Sequence, residues 1–200
     1  NNLMPVTING SGSITGLSVG GLGSGVVNQA TLADGAAAGA KLGTGSVIQR
    51  VQNLTYPRTS TQSITFVATD HSVTITPTLA SSKILLNFSG MINTNGTNWR
   101  AWIDVYRSIN GGTFTGIAPQ GSSGTTGASN SSGFMDEIRG DNSRLQVPFN
   151  IHYLDSPSYS VGNAIVYKLY FRTNDAGNTI ELGTNNQLAP VVNIATEIKG

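Results

Sequence analysis

From residue 47 to the end of the chain, apolar residues recur at every second position, in short runs separated by strong turn signals. Period two is the spacing of one face of a β-strand, and nothing after residue 45 sustains the 3.6-residue period of a helix. Val47, Gln49 and Val51 alternate with Ile48, Arg50 and Gln52. Ile64, Phe66 and Ala68 are expected to face one way, with Ser63, Thr65 and Thr69 opposite. Val73 and Ile75 alternate with Thr74 and Thr76, and 77–82 reads as a loop. Ile84, Leu86 and Phe88 form the next inward row, with Lys83, Asn87 and Ser89 outward. Further rows are Val147, Phe149, Ile151 and Tyr153, then Ile165, Tyr167, Leu169 and Phe171. Asn110-Gly111-Gly112 signals a hairpin, and 174–178 a turn into a strand at 179–182; Val192, Ile194, Thr196 and Ile198 close the chain. The expected fold class is all-β. Roughly eight to ten short strands at this spacing argue for an antiparallel β-sandwich or barrel. No connection offers a crossover helix, so parallel pairing is not expected.

Residues 1–45 follow another rule. They hold no aromatic residue and consist largely of Gly, Ala, Ser, Thr and small aliphatics, as in Gly20-Gly21-Leu22-Gly23 and Ala36-Ala37-Ala38-Gly39-Ala40. Such a stretch cannot bury enough apolar surface to offset the entropy of ordering it alone. One reading is a flexible linker. The other is a stalk ordered by packing against copies of itself, favoured by Ile8, Ile14, Leu17, Val19, Leu22, Val26 and Val27. The chain therefore divides into an extended Gly/Ala-rich N-terminal segment, 1–45, and a β-sandwich knob domain, 46–200. It is read as a fragment or processed product, since it starts at Asn1 without a signal-peptide pattern.

Charge narrows the function classes. Only 10% of residues are charged and the formal net charge is +1, against about 25% charged residues in ordinary globular domains. No basic cluster is present to contact phosphates, so nucleic acid is not an expected partner. No apolar run reaches transmembrane length, so membrane insertion is not expected. There is no cysteine, which removes disulfides, thiol nucleophiles and thiolate metal sites.

Several motifs resemble the C-terminal modules of bacteriophage tail fibres. Ile14-Thr15-Gly16-Leu17 to Leu22, followed by Leu42-Gly43-Thr44-Gly45-Ser46-Val47, is similar to their entry segment. Ser72-Val73-Thr74-Ile75-Thr76-Pro77-Thr78 with Ala80-Ser81-Ser82-Lys83-Ile84-Leu85 resembles their strand-loop-strand. Tyr153-Leu154-Asp155-Ser156-Pro157, then Tyr167-Lys168-Leu169, is the third match, and Ile194-Ala195-Thr196-Glu197-Ile198 the last. The resemblance implies a homotrimeric β-sandwich on a virion, in contact with other virion proteins, and does not reveal a receptor. The sandwich is expected to be jelly-roll-like. The polar surface and long Ser/Gly loop, taken with the resemblance, make a host cell-surface polysaccharide the expected partner. The resemblance leaves open a tail fibre or, alternatively, a capsid decoration (cement or head-fibre) protein. The stretch 113–145 has no counterpart in it. There the long Ser/Gly loop carrying Gln120, Ser122, Thr125 and Asn130 is the expected receptor loop.

No catalytic residue, cofactor or metal is expected. Asp136 and Glu137 are adjacent, so on a strand they point to opposite faces instead of across a cleft. A polysaccharide depolymerase is the least favoured reading. His71 and His152 lack metal-ligand spacing and are expected at the surface or an interface; Asp155, before Ser156-Pro157, is expected to form a turn. The most informative placement is on 99–106. Trp99, Ala101, Ile103 and Val105 form a core face, while Arg100, Trp102, Asp104 and Tyr106 form an outer face of exposed aromatics and charge. That face is a subunit interface, a sugar platform, or a surface covered by a loop.

Overall fold

The computed structural model describes residues 42–95, 99–119, 133–140, 145–183 and 190–200. These lie in one compact unit, Gly39–Gly200. Most of the expected stalk (1–41), and Gln120, Ser122, Thr125 and Asn130, lie outside the described residues. The described part is all-β and contains no helix.

The strands are β1 (Val47–Thr55), β2 (Thr59–Thr61), β3 (Val67–Ile75), β4 (Lys83–Asn95), β5 (Trp99–Ile109), β6 (Thr115–Gly116), β7 (Met135–Gly140), β8 (Leu145–Asp155), β9 (Ile165–Thr173), β10 (Thr179–Leu182) and β11 (Val191–Ile198). They form two sheets, in which every pairing is antiparallel. The six-stranded sheet runs β1-β11-β4-β10-β2, with β8 along the other side of β4. The five-stranded sheet runs β3-β9-β5, and β5 then pairs with both β6 and β7.

The alternation sets the core. Ile84, Leu86, Phe88, Phe149, Ile151, Val191 and Ala195 of the first sheet face Val73, Ile75, Ile103, Val105, Ile165, Tyr167, Leu169 and Phe171 of the second. Each large apolar side chain so buried contributes about 1.5–3 kcal/mol. The expected hairpin at Asn110-Gly111 is present. Both residues take positive φ, 51° and 75°, and Gly112 N–H donates to the Ile109 carbonyl at 3.0 Å. That matches the twist of the flanking strands. Pro148 sits on β8, which pairs only along β4 among the described residues; a residue without an N–H is tolerated on such an edge.

Polar side chains bridge the sheets at one margin. Asn53 Nδ2 donates to the Ser72 carbonyl at 2.8 Å, and Gln49 Nε2 to the Thr76 carbonyl at 2.7 Å, so β1 is tied to β3 without a shared ladder. On the far side, Arg107 of β5 pairs with Asp155 of β8, Nη1 lying 2.7 Å from both carboxylate oxygens, and Tyr167 donates to the same carboxylate at 2.7 Å. Asp155 is thus the anchor of a buried ion pair and not the turn former expected from Ser156-Pro157.

Two more expectations are corrected. Ile64 precedes β3 and is 57% exposed, and Ala68 is exposed, whereas Val67, Thr69, His71, Val73 and Ile75 turn inward. The ladder with β9 jumps from Ala68↔Tyr170 to Ser72↔Lys168, two extra residues on β3, which preserves the odd-numbered inward face through the irregularity. His71 is consequently buried, not at the surface. His152 lies on the exposed side of β8, with Nε2 3.1 Å from Asn87 Nδ2.

Candidate attachment face

The outer surface of the five-stranded sheet carries the side chains singled out on 99–106, together with others that β9 brings beside them. In the β5–β9 register Trp102 lies opposite Arg172, Asp104 opposite Tyr170, and Tyr106 opposite Lys168. The result is a row of rings. Tyr106 and Tyr170 stack at 3.8 Å with 17° between their planes. Phe66 flanks Tyr106 at 6.1 Å, and Phe114 flanks Tyr170 at 6.1 Å. Both outer rings are tilted, by 53° and 43°, so the row does not close into one continuous stack. All four rings are half-buried.

Cations border the row. Lys168 Nζ lies 5.5 Å from the centre of Phe114. The Arg172 guanidinium lies 5.2 Å from Phe66 and 4.0 Å from Trp102. Such cation–π contacts stabilise by about 0.5–2 kcal/mol, most where water is excluded. Burial pulls the Arg172 pKa below its ordinary value.

The four expected residues do not form one exposed patch. Trp102 is 7% exposed, capped by Arg172, and Asp104 is 5% exposed. Only Arg100 and Tyr106 remain half-buried. Residues after β5 do part of the covering: Ile117 N–H donates to the Val105 carbonyl at 3.0 Å, which lays 114–118 along β5. A Cβ at Gly116 would sit 2.9 Å from Asp104 Oδ2, so any larger residue there would push the Asp104 carboxylate aside. Burial raises the Asp104 pKa to about 6, against hydrogen bonds from the Val105 and Ala118 backbone that pull it down. Tyr106 is raised by burial, then by the Asp104 charge and Tyr170.

The sequence reading missed Lys168, Tyr170 and Arg172. Their signal was present, since Ile165, Tyr167, Leu169 and Phe171 point inward and the intervening residues must point out. Phe66 and Phe114 carry no such signal, because both lie outside regular strands.

A second arrangement was also missed. Glu197 is 0% exposed, yet its carboxylate is fully engaged. Thr78 N–H lies 3.1 and 3.0 Å from its two oxygens, Leu79 N–H donates at 3.0 Å, Ser82 Oγ at 2.8 Å and Gln49 Nε2 at 2.7 Å. Burial pushes its pKa up, and the bonds from Gln49, Thr78, Ser82 and Leu79 more than reverse this, leaving it below the ordinary value. The 77–82 loop is therefore a carboxylate clamp that fastens β3–β4 to β11. It explains why a polar loop and a terminal glutamate belong to one chain.

A third feature lies on the outer face of the six-stranded sheet. Leu54, Leu85 and Leu154 are 41%, 37% and 46% exposed, and Val47 at the start of β1 is 58% exposed. Leu85 pairs with Leu154 across β4–β8 and with Thr196 across β4–β11, so the strip crosses several strands. A shallow depression of about 330 Å³ opens there, between Arg50, Leu85, Asn87, His152 and Ile194.

Among the described residues, no group of three or more His, Asp or Glu side chains gathers as a metal site, and no helix is long and apolar enough to cross a membrane. No family model matches the chain, and no curated protein sequence matches it. A solved structure of infectious bursal disease virus, Gx strain, aligns with a TM-score of 0.37 and 13% identity, over 78% of this chain. The chain spans only 37% of the length of that one. At that score the likeness carries no functional argument.

Proposed function

We propose that this chain is a non-enzymatic attachment module of a virion, a homotrimeric jelly roll at the tip of a bacteriophage tail fibre that holds a host-surface polysaccharide. The observation that carries the reading is the row Phe66–Tyr106–Tyr170–Phe114 with Lys168 and Arg172 beside it. Four half-buried rings outside the core leave apolar surface in water. Sugar C–H faces cover such rings well, while neighbouring polar side chains reach the hydroxyls.

The strand order supports the jelly-roll part. With the short β2, β6 and β10 set aside, the first sheet reads β1-β11-β4-β8 and the second β3-β9-β5-β7. Successive long strands alternate between the sheets except β5 and β7, which pair with each other, and the order matches the double Greek key of viral capsid and lectin domains. The apolar strip on the six-stranded sheet supports self-association. Apart from Arg50 and Lys83 near one end and His152, its side chains are apolar or neutral polar, so its own copy meets little repulsion there. Three equal sites on one body multiply weak contacts into firm adhesion. The same strip is the observation that favours the second reading, a capsid decoration protein, because such a role needs permanent contact with other protein and no receptor.

Light scattering of the purified chain is expected to give three times 20.8 kDa, and Leu85→Asp with Leu154→Asp to give the single-chain mass. Tyr106→Ala with Tyr170→Ala is expected to lower adsorption to host cells with the mass unchanged. A solitary species in the unaltered protein refutes the trimer. Undiminished adsorption of the double tyrosine variant refutes the aromatic row as the contact surface.

A further inference from the structure

The structure brings together two segments that lie far apart in sequence, the Ser81-Ser82-Lys83 end of the β3–β4 loop and Ser156-Pro157-Ser158-Tyr159 after β8. Between them lies an open pocket of about 340 Å³. That is at the small end of the ~300–1,000 Å³ range of ligand pockets, but its lining is of another kind. Ordinary small-molecule pockets are mostly apolar. Here the half-buried Tyr159 supplies the apolar surface, with Pro157 buried behind it, and hydroxyls and one ammonium supply the rest.

Some of these polar groups are already committed. Ser82 Oγ donates to Glu197, and the Tyr159 hydroxyl donates to the Leu79 carbonyl at 2.7 Å, which fixes the phenol at the wall. Ser81, Lys83, Ser156 and Ser158 are exposed, and their side chains make no hydrogen bond or ion pair among the described residues. The two carboxylates that pair with Ile84, next to Lys83, do not neutralise it. Asp155 is turned inward onto Arg107 and Tyr167, and Glu197 is held by the 77–82 loop and Gln49. The pocket therefore presents the Lys83 ammonium beside three hydroxyls that can each donate and accept. Ser81 also holds a left-handed backbone, φ 64°, without being glycine. Strain of that kind collects at ligand clamps and is held there by the surrounding structure, here the clamp on Glu197.

We infer that this pocket binds one carboxylate-bearing sugar unit, a uronic acid residue of an acidic polysaccharide. Lys83 takes the carboxylate, Ser81, Ser156 and Ser158 exchange hydrogen bonds with ring hydroxyls, and the Tyr159 ring receives a C–H face. Charged hydrogen bonds to the ammonium are the stronger ones, so Lys83 sets the preference for an acidic over a neutral sugar. The pocket lies on residues separate from the aromatic row, so either can fail without the other.

The test is a titration of the full chain with sodium glucuronate, followed by backbone amide NMR shifts, with glucose and sodium acetate at matched ionic strength as comparisons. Glucuronate is expected to give saturable shifts at residues 81–83 and 156–159, with glucose and acetate at least tenfold weaker. Lys83→Gln is expected to weaken glucuronate tenfold or more, Ser158→Ala several-fold, and Tyr106→Ala not at all. Both first positions are exposed, so a thermal melt should find each variant as stable as the parent. Absence of saturable shifts up to roughly 20 mM, far above a millimolar affinity, overturns the inference. Equal response to acetate overturns the sugar, and undiminished binding by Lys83→Gln overturns the assignment of the charge.

Discussion

Replacing Glu197 by Gln tests whether the fold depends on a buried charge that its own loop has learned to satisfy. The substitution keeps shape and volume but turns one acceptor oxygen into an NH₂ donor. The geometry leaves no harmless orientation. One oxygen receives Thr78 N–H, Leu79 N–H and Ser82 Oγ, and the other receives Thr78 N–H, Thr78 Oγ1 and Gln49 Nε2. With the NH₂ turned toward Thr78 Oγ1 and Gln49, the remaining oxygen keeps Thr78 N–H, Leu79 N–H and Ser82 Oγ, the Thr78 hydroxyl turns to accept, and Gln49 Nε2 is left facing a donor. Each buried donor left without a partner costs about 1–3 kcal/mol, and the bonds lost were charge-assisted. Rotating the Gln49 amide would satisfy the contact there but break its bond to the Thr76 carbonyl, so the net expectation is a loss of about 2 kcal/mol. For a domain of this size that corresponds to a melting point lower by roughly 4–8 °C. Urea unfolding at pH 7 should show a lower midpoint with an unchanged slope. Glu181→Gln is the control. Its partner Arg58 is 39% exposed, and such a pair is worth about 0–1 kcal/mol. Glu197 also carries a pH signature. Its folded pKa lies below the ordinary 4.5, so its contribution is complete above about pH 4.5 and is lost as pH falls through the lower folded value. Glu197→Gln should flatten that acid limb. A loss no larger than that of Glu181→Gln, or an unaltered acid limb, refutes the account of the clamp.

Two further expectations concern buried titrating groups, and their signs are opposite. His71, fully buried with Nδ1 2.6 Å from Thr55 Oγ1, has its pKa lowered from 6.5 by burial, so the neutral ring is the native form. Its contribution is complete above about pH 6.5 and is lost as pH falls toward the depressed value; melts at pH 7.5 and 5.5 should show a fall that His71→Asn reduces. Asp104, raised from 3.8 to about 6, favours folding in its protonated form, so stability from this group declines as pH climbs from about 3.8 to 6. Asp104→Asn keeps an acceptor for the Val105 N–H and should raise the urea midpoint at pH 7.5 while leaving it nearly unchanged at pH 3.5.

Strand identity was legible because burial of one sheet face imposes period two wherever a strand is regular. Ile84-Leu86-Phe88, Phe149-Ile151 and Ile165-Tyr167-Leu169-Phe171 all lie in the core, and the Asn110-Gly111 turn forms where its backbone demands positive φ. Local alternation failed between 64 and 72, where chain outside the strand and two extra ladder residues decided which parity faces inward. It failed too for polar residues in the core. Whether Glu197, His71 or Asp155 can be buried depends on donors and counter-charges contributed by segments more than ten residues away, and no local period reports them. The outer face of β5 shows the same division. That Trp102 and Asp104 point away from the core follows from alternation alone, but their cover comes from Arg172 of β9 and from 114–118, which only the folded chain supplies. Sequence periodicity sets which side of a strand a residue occupies, and tertiary packing sets what that side meets, because solvation is decided by neighbours in space.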